Sequence, residues 1–278
     1  VTVNSATKLY ARWKENFKYF YINDLSKDID PKIIHYVIRT SGRGDDFLNC
    51  LQHKLVAGRK VYFIKDENSV RRQPFRPDIF DDYGGKIKSF IFGENVRHIP
   101  GEICYKLSGV KSITIPQSVE TIGAYAFYRS GITNLIIPNN VVSIGENAFT
   151  SCPLQSVEIG KGVKYLGEDA FGSCFTLTQT SYSGNIADWC DINFANIGAN
   201  PAGYSTNLYI NGEKLTDIVV PSSVDSIKDC VFANNYSLQK VVLGENVKHI
   251  GFYAFGDCTG LTSMTIPDSV TSIGDTAF

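Results

Sequence analysis

The sequence predicts an α+β repeat solenoid, a right-handed coil of short parallel strands and short helical segments, preceded by a small helical N-terminal cap. Three observations predict this fold. An octet ending in phenylalanine recurs at a fixed interval, an alternating apolar segment precedes each octet, and the first part of the chain has apolar residues at helical spacing instead. A repeat of about 20–50 residues is typical of a solenoid, in which each unit buries its apolar side chains against its neighbours.

The first element in the chain is the predicted cap, residues 1–57. Trp13 and Phe17 share one helical face in SATKLYARWKENFKYF, and GDDFLNCLQHKL has the same apolar spacing. Between these segments, DPKIIHYVIRT begins with Asp30 as a helix N-cap and Pro31 at the first helical position. We therefore predict helices that cover the first strand of the solenoid.

The solenoid itself is predicted over residues 58–278. Its octets end at Phe127, Phe149, Phe171, Phe232, Phe255 and Phe278. The first three are 22 residues apart and the last three are 23 apart. With the segment before each octet, the unit reads L-x-x-I-x-I-P-x-x-V-x-x-I-G-x-x-A-F-x-x-C. Residues 58–86 form a degenerate first unit and residues 177–214 an expanded one, which is either a projecting loop at a binding rim or a structural insert.

Each position of the unit has a physical explanation. In SITIP, the apolar Ile113 and Ile115 alternate with polar residues, which predicts a strand with one buried face. A proline or glycine then ends the strand. Gly123 permits a sharp turn into a short helical segment, where Ala126 leaves room for Phe127. Phe278 is then an interior residue of its unit, so we expect either that more units follow in the native protein or that the chain was cut there.

The seven cysteines fit the same repeat. Cys152, Cys174 and Cys258 each follow a repeat phenylalanine by three residues, which predicts a ladder of buried thiols. Disulfides between adjacent units are the less favoured alternative, because side chains stacked along a parallel ladder do not meet with the required torsion. The chain has no C-x-x-C motif, and no histidine lies at metal-ligand spacing from a cysteine.

The unit resembles the leucine-rich repeat of the BspA-like, or Treponema-type, class, and the resemblance extends from Ile87 to Phe278. It implies a secreted or cell-surface bacterial protein, with its signal or lipid anchor absent from this chain. It also implies a non-enzymatic protein-binding module, which acts in adhesion to a host matrix protein or a bacterial surface protein. Two alternatives stay open: a structural spacer or scaffold, and an accessory to carbohydrate processing in which the expanded unit forms a pocket.

Composition and motifs limit the other classes of function. The net charge is −1, without a basic block, which disfavours nucleic acid as a partner. No apolar run is long enough for direct membrane insertion. Because no assembled catalytic motif occurs, we expect no enzyme activity, no cofactor and no metal site. Carbohydrate is a possible partner that no motif supports.

The candidate binding surface is the strand face that points away from the core. It comprises Ser112, Thr114, Asn134, Ile136, Ser156, Glu158, Asp217, Val219, Lys240, Val242, Ser263 and Thr265. Small polar and β-branched residues predominate, which favours a broad and shallow protein-binding surface. A separate short motif, Arg43-Gly44-Asp45, is the tripeptide that integrins bind in host matrix proteins, and it lies between two predicted helices.

Overall fold

The computed structural model is a coil of parallel strands, in which each turn of the chain stacks on the turn before it. It describes residues 96–99, 101–205 and 207–278, together with Phe92 and the strand backbones at 33–37, 60–64 and 89–92. Two rows of strands run along the coil. We call them the long-strand face and the short-strand face, and each turn of the coil a rung.

The long-strand face contains most of the strand residues. Its strands are β1 (Ile33–Val37), β2 (Lys60–Ile64), β3 (Ser89–Phe92), β5 (Ile113–Thr114), β7 (Asn134–Ile137), β9 (Ser156–Ile159), β11 (Gln179–Tyr182), β13 (Asn207–Ile210), β14 (Glu213–Lys214), β15 (Asp217–Val219), β17 (Lys240–Val242) and β19 (Ser263–Thr265). All the pairs between them are parallel except β13 with β14, which form an antiparallel hairpin. An isolated parallel bridge between Ser112 and Asn134 joins β5 to the following rung.

The short-strand face has one two-residue strand in most rungs. These are β4 (His98–Ile99), β6 (Thr121–Ile122), β8 (Ser143–Ile144), β10 (Tyr165–Leu166), β12 (Asn193–Phe194), β16 (Ser226–Ile227), β18 (His249–Ile250) and β20 (Ser272–Ile273). They pair in parallel within two sheets, one from β4 to β12 and one from β16 to β20. The repeat therefore places two strands in each ordinary rung. The regular spacing of the units along the chain sets the register of these strands.

The prediction of short helical segments at the G-x-x-A-F positions is wrong. In the rung of Phe149, the N–H groups of Asn147, Phe149 and Ser151 donate to carbonyls of the next rung, each at 2.8 Å, and the residues between them close turns within the rung. Asn147 and Ser151 have positive φ, at 53° and 58°, which an α-helix does not accommodate. The segment is therefore a chain of turns. The α-helix of the described residues, α1 (Ile186–Cys190), lies in the expanded unit.

The predicted N-terminal cap lies mostly outside the described residues. One part of it can be compared with the structure: Ile33–Val37, predicted as part of a helix, is strand β1 and pairs in parallel with β2. Three of its five residues are β-branched, and such residues favour a strand over a helix. The N-cap and proline signals at Asp30 and Pro31 did not outweigh this preference.

The glycine of the repeat is required for close packing rather than for its backbone angles. A Cβ atom on Gly145 would lie 2.5 Å from the backbone nitrogen of Ala124 in the rung before it. Among the described glycines, only Gly212 has a positive φ, at 82° in the β13–β14 turn. The glycine thus lets consecutive rungs approach at the corner between the short-strand face and the turns.

Stacked rings and buried thiols fill the interior, as the repeat predicts. The ring centroids of Phe127 and Phe149 are 5.1 Å apart, and those of Phe149 and Phe171 are 5.3 Å apart. A second stack runs through Phe232, Phe255 and Phe278. The six described cysteines are all buried and free, which confirms the thiols and contradicts inter-unit disulfides among them. Cys50 lies outside the described residues.

Candidate protein-binding face

The side chains of the long-strand face alternate between the core and the solvent. In β7, Leu135 and Ile137 are buried while Asn134 and Ile136 are exposed, and β9 repeats the pattern. The strands therefore present two outward positions per rung. Parallel pairing in register brings equivalent positions of successive rungs side by side, at about 4.8 Å per strand.

All twelve residues predicted for this face lie at outward positions. Ten are exposed, and Ser156 and Val242 are half-buried. The register confirms their alignment: Asn134 is opposite Ser156, and Asp217, Lys240 and Ser263 follow one another in a row. The backbone pairing divides them into two groups, because the Ser112–Asn134 bridge joins the sheet of β5 to the sheet of β7–β14, whereas no pairing joins β14 to β15.

The sequence analysis missed four outward residues in the expanded unit. Gln179 and Ser181 in β11 are opposite Ser156 and Glu158, and Asn207 and Tyr209 in β13 continue the same two rows. The segments QTSY and NLYI show the alternation of the other strands. That alternation was the available signal, but the longer spacing between these two strands hid their equivalence to the repeat.

Several polar side chains on the face form hydrogen bonds with neighbouring polar side chains. The Ser156 hydroxyl donates to Asn134 Oδ1 at 2.8 Å, and the Gln179 amide donates to the Ser181 hydroxyl at 3.2 Å. Thr216 donates to an Asp217 carboxylate oxygen at 3.0 Å. These contacts order the polar side chains of the face in advance of any ligand, which lowers the entropic cost of binding.

Charged and aliphatic side chains of the face point to solvent. Within the described part of the chain, no ion pair involves Glu158 or Lys240. Ile136 is 61% exposed and Val219 is 70% exposed, although both lie within strands. Val242 lies opposite Val219, so two valines of neighbouring strands form a small apolar patch with one charged row beside it.

Two observations describe the metal-binding potential and the thiol chemistry of the described residues. No group of three or more His, Cys, Asp or Glu side chains there is placed to hold a metal ion. Burial raises the pKa of the Cys152 and Cys190 thiols to about 12 in each case, so neither is a thiolate at neutral pH.

The Arg43-Gly44-Asp45 motif lies outside the described residues and stays a prediction. The helices described include none with the length and apolar character to cross a membrane.

The stacked rungs and the repeated unit define a leucine-rich repeat module. A family model described as the BspA type leucine rich repeat region matches residues 76–200 and 204–278, in six copies. The match covers most of the chain, which therefore belongs to this family, as its resemblance implied. No curated protein is significantly similar to the chain in sequence.

Several solved structures of bacterial leucine-rich repeat proteins match the chain weakly. One from Bacteroides ovatus is 18% identical with a TM-score of 0.41, over 97% of this chain and 80% of that one. One from Eubacterium ventriosum is 17% identical with a TM-score of 0.42, over 80% and 76%. The leucine-rich repeat protein of T. pallidum is 18% identical with a TM-score of 0.37, over 93% and 83%. All three TM-scores are low, so the family assignment depends on the family model and on the repeat itself.

Proposed function

We propose that this chain is a non-enzymatic protein-binding module of a secreted or cell-surface bacterial protein, and that it acts in adhesion to host or bacterial surface proteins. The long-strand face is the proposed binding surface. The observation that carries the proposal is the exposure of Val219 and Ile136 at strand positions of this face. Exposed aliphatic side chains with polar and charged neighbours are typical of protein interfaces, where burial of a few such residues supplies most of the affinity.

The chemistry of the face favours a protein over other classes of partner. Its described charges have both signs, as Asp217 lies opposite Lys240, so it lacks the basic surface that nucleic acid requires. Its outward aromatic residue, Tyr209, is half-buried, and stacking on sugars or bases needs exposed rings. Localisation at the cell surface is part of the proposal, and membership of the BspA type leucine-rich repeat family supports it.

Binding to a defined panel of purified proteins tests the proposal. The panel comprises host matrix proteins, serum proteins and bacterial surface proteins, immobilised and probed with the full chain. Val219→Glu should weaken binding at least tenfold, because it places a charge in the apolar patch. Val142→Glu is the matched control, since Val142 is also exposed, at 48%, but precedes a strand of the short-strand face.

Three outcomes distinguish the alternatives. If no panel protein binds and charge reversal at Glu158, Asp217 and Lys240 leaves cellular adhesion unchanged, the chain is better explained as a spacer. Binding on a glycan array, lost in variants of the expanded unit, would favour the carbohydrate accessory. The integrin motif is tested separately, because binding through it should be abolished by Asp45→Ala and unaffected by Val219→Glu.

A further inference from the structure

The backbone ladder of the solenoid is interrupted once among the described residues. The long-strand face changes sheet between β5 and β7, where the Ser112–Asn134 bridge still joins the rungs, and between β14 and β15, where no bridge does. The short-strand face changes sheet between β12 and β16. No backbone–backbone hydrogen bond in the described part of the chain joins a residue before Leu215 to a residue after it. We call the described rungs before Leu215 the N-terminal body and residues 216–278 the C-terminal body.

We call the boundary between the two bodies the joint. At the joint, side-chain donors replace the backbone donors of an ordinary rung. In ordinary rungs, the carbonyl one residue before the repeat phenylalanine accepts a backbone N–H from the rung before it, as Ala170 does from Phe149. The corresponding carbonyl of Val231 accepts instead from Trp189 Nε1 and Asn200 Nδ2, each at 3.0 Å. The Asn200 amide also donates to Cys230 at 2.8 Å. Trp189 and Asn200 are fully buried.

The ring stack is interrupted at the same place. Phe171 donates its N–H to Gly198, which places Ala199 at the position that phenylalanine occupies in other rungs. Trp189 packs nearby, with its ring centroid 5.2 Å from that of Tyr182 and 5.4 Å from that of Phe194. The expanded unit thus ends the first ring stack and binds the first rung of the second. This arrangement supports the structural-insert interpretation over the projecting loop.

We propose that the two bodies are separate cooperative units, and that the C-terminal body detaches at the Trp189–Asn200 joint and unfolds while the N-terminal body stays folded. The stability of a solenoid is approximately a sum of rung terms and interface terms between neighbours, so it separates where an interface is weakest. An ordinary interface contains three turn-segment hydrogen bonds and two strand pairings, whereas the described polar contacts at this one are side-chain hydrogen bonds and the Asp191–Lys228 ion pair. The C-terminal body is also the smaller unit, with three rungs. This inference does not depend on the proposed function.

Buried cysteines supply a reporter in each body. The N-terminal body contains Cys104, Cys152, Cys174 and Cys190, and the C-terminal body contains Cys230 and Cys258. Brief thiol labelling of the full chain at increasing urea, read by peptide mass spectrometry, measures the opening of each site. Cys230 and Cys258 should become reactive together, at lower urea than the other four. Labelling of all six at one urea concentration would overturn the proposal without any variant being needed.

Two variants test whether the boundary between the two unfolding units lies at the joint. Trp189→Phe keeps a ring but removes the N–H donor, and it should lower the labelling midpoint of Cys230 and Cys258 more than that of Cys152. Asn140→Ala is the matched control, because its amide donates across rungs to Gln117 at 2.6 Å within the N-terminal body. This control should move the N-terminal thiols only. Equal shifts at all sites in either variant would contradict the proposal.

Discussion

Burial of the cysteine side chains contributes to the response of the fold to alkaline pH. Burial raises the pKa of Cys152 to about 12 and that of Cys258 to about 11, from an ordinary value of 9.0. Above pH 9 the unfolded chain therefore loses thiol protons that the folded chain keeps. The folded state then binds more protons, so the free energy of unfolding should fall as pH rises from 9 toward 12.

Urea unfolding at pH 8 and pH 10.5 measures this fall. Tyrosines with raised pKa values contribute as well, because the pKa of Tyr253 is raised to about 12 by a hydrogen bond to Asp257 and by burial. The thiol share is isolated by comparison with Cys152→Ala and Cys258→Ala, which should show a weaker pH dependence than the parent chain. Identical pH dependence in all three proteins would count against buried, protonated thiols.

A single glycine position tests how closely the rungs approach. In Gly145→Ala, the new methyl group would lie 2.5 Å from the Ala124 nitrogen, and backbone atoms cannot move aside without separating two rungs. We expect a loss of about 1–3 kcal/mol in the free energy of unfolding. Gly212 is the contrast, because nothing lies within 4 Å of its Cβ position and only its positive φ disfavours a side chain.

The contrast predicts different tolerance to asparagine, which accepts positive φ more readily than most residues. Gly212→Asn should leave the urea midpoint nearly unchanged, and Gly145→Asn should lower it at least as much as Gly145→Ala. If both sites tolerate asparagine equally, close packing is not the reason for the repeat glycine.

Among the structural elements, the ring stack should contribute most to stability where a ring has a neighbour on both sides. Phe149 is fully buried between Phe127 and Phe171, so Phe149→Ala should cost about 3–5 kcal/mol in the free energy of unfolding of the N-terminal body. Phe278 is 53% exposed and stacks on Phe255 alone. Phe278→Ala should cost about 1 kcal/mol in the free energy of unfolding of the C-terminal body. Equal losses by chemical denaturation would show that stacking between rungs does not govern stability.

The elements differ in how much of them the sequence could predict. Period and alternation were sufficient for the ring stack and for the outward rows, because both depend on contacts between equivalent positions of neighbouring units. The turns were not predictable in the same way. Asn147 and Asp169 have left-handed backbone, and no glycine marks these positions. The N–H of Asn147 donates to a carbonyl of the next rung and that of Asp169 donates to Asn196 Oδ1, contacts that no sequence pattern reveals.

The joint could not be predicted from the sequence, for a similar reason. The Trp189 contact to Val231 spans 42 residues and crosses the expanded unit, where the period is lost. Pattern analysis of the sequence could therefore not identify what Trp189 binds. Outward residues of the same unit, such as Tyr209, were missed because their strands no longer follow the 22- or 23-residue step.

In the molecule as a whole, the proposed binding face extends across the joint between the two bodies. Tyr209 belongs to the N-terminal body, and Val219 and Val242 belong to the C-terminal body. A protein that covers all three can bind fully only while the two bodies keep their relative position. Binding at this face would then stabilise the joint by the same free energy with which joint opening weakens binding.

The contacts across the joint differ in kind, and magnitudes decide which of them holds the two bodies together. Asp191 lies between Lys164 and Lys228, at 3.0 Å and 2.9 Å, but more than half of its side chain is exposed. Exposed ion pairs contribute about 0–1 kcal/mol and weaken with salt. The buried Asn200 amide donates to two carbonyls, and its loss leaves Cys230 without this donor, at a cost of about 1–3 kcal/mol.

Asn200→Ala should therefore lower the urea midpoint for labelling of Cys258 more than Asp191→Asn does. The two variants should also respond differently to salt. In 1 M NaCl the effect of Asp191→Asn should largely vanish, because screening already weakens the ion pairs of the parent chain, while the effect of Asn200→Ala should persist. A larger effect of Asp191→Asn, or a salt-sensitive effect of Asn200→Ala, would mean that charge rather than buried hydrogen bonding joins the two halves of the solenoid.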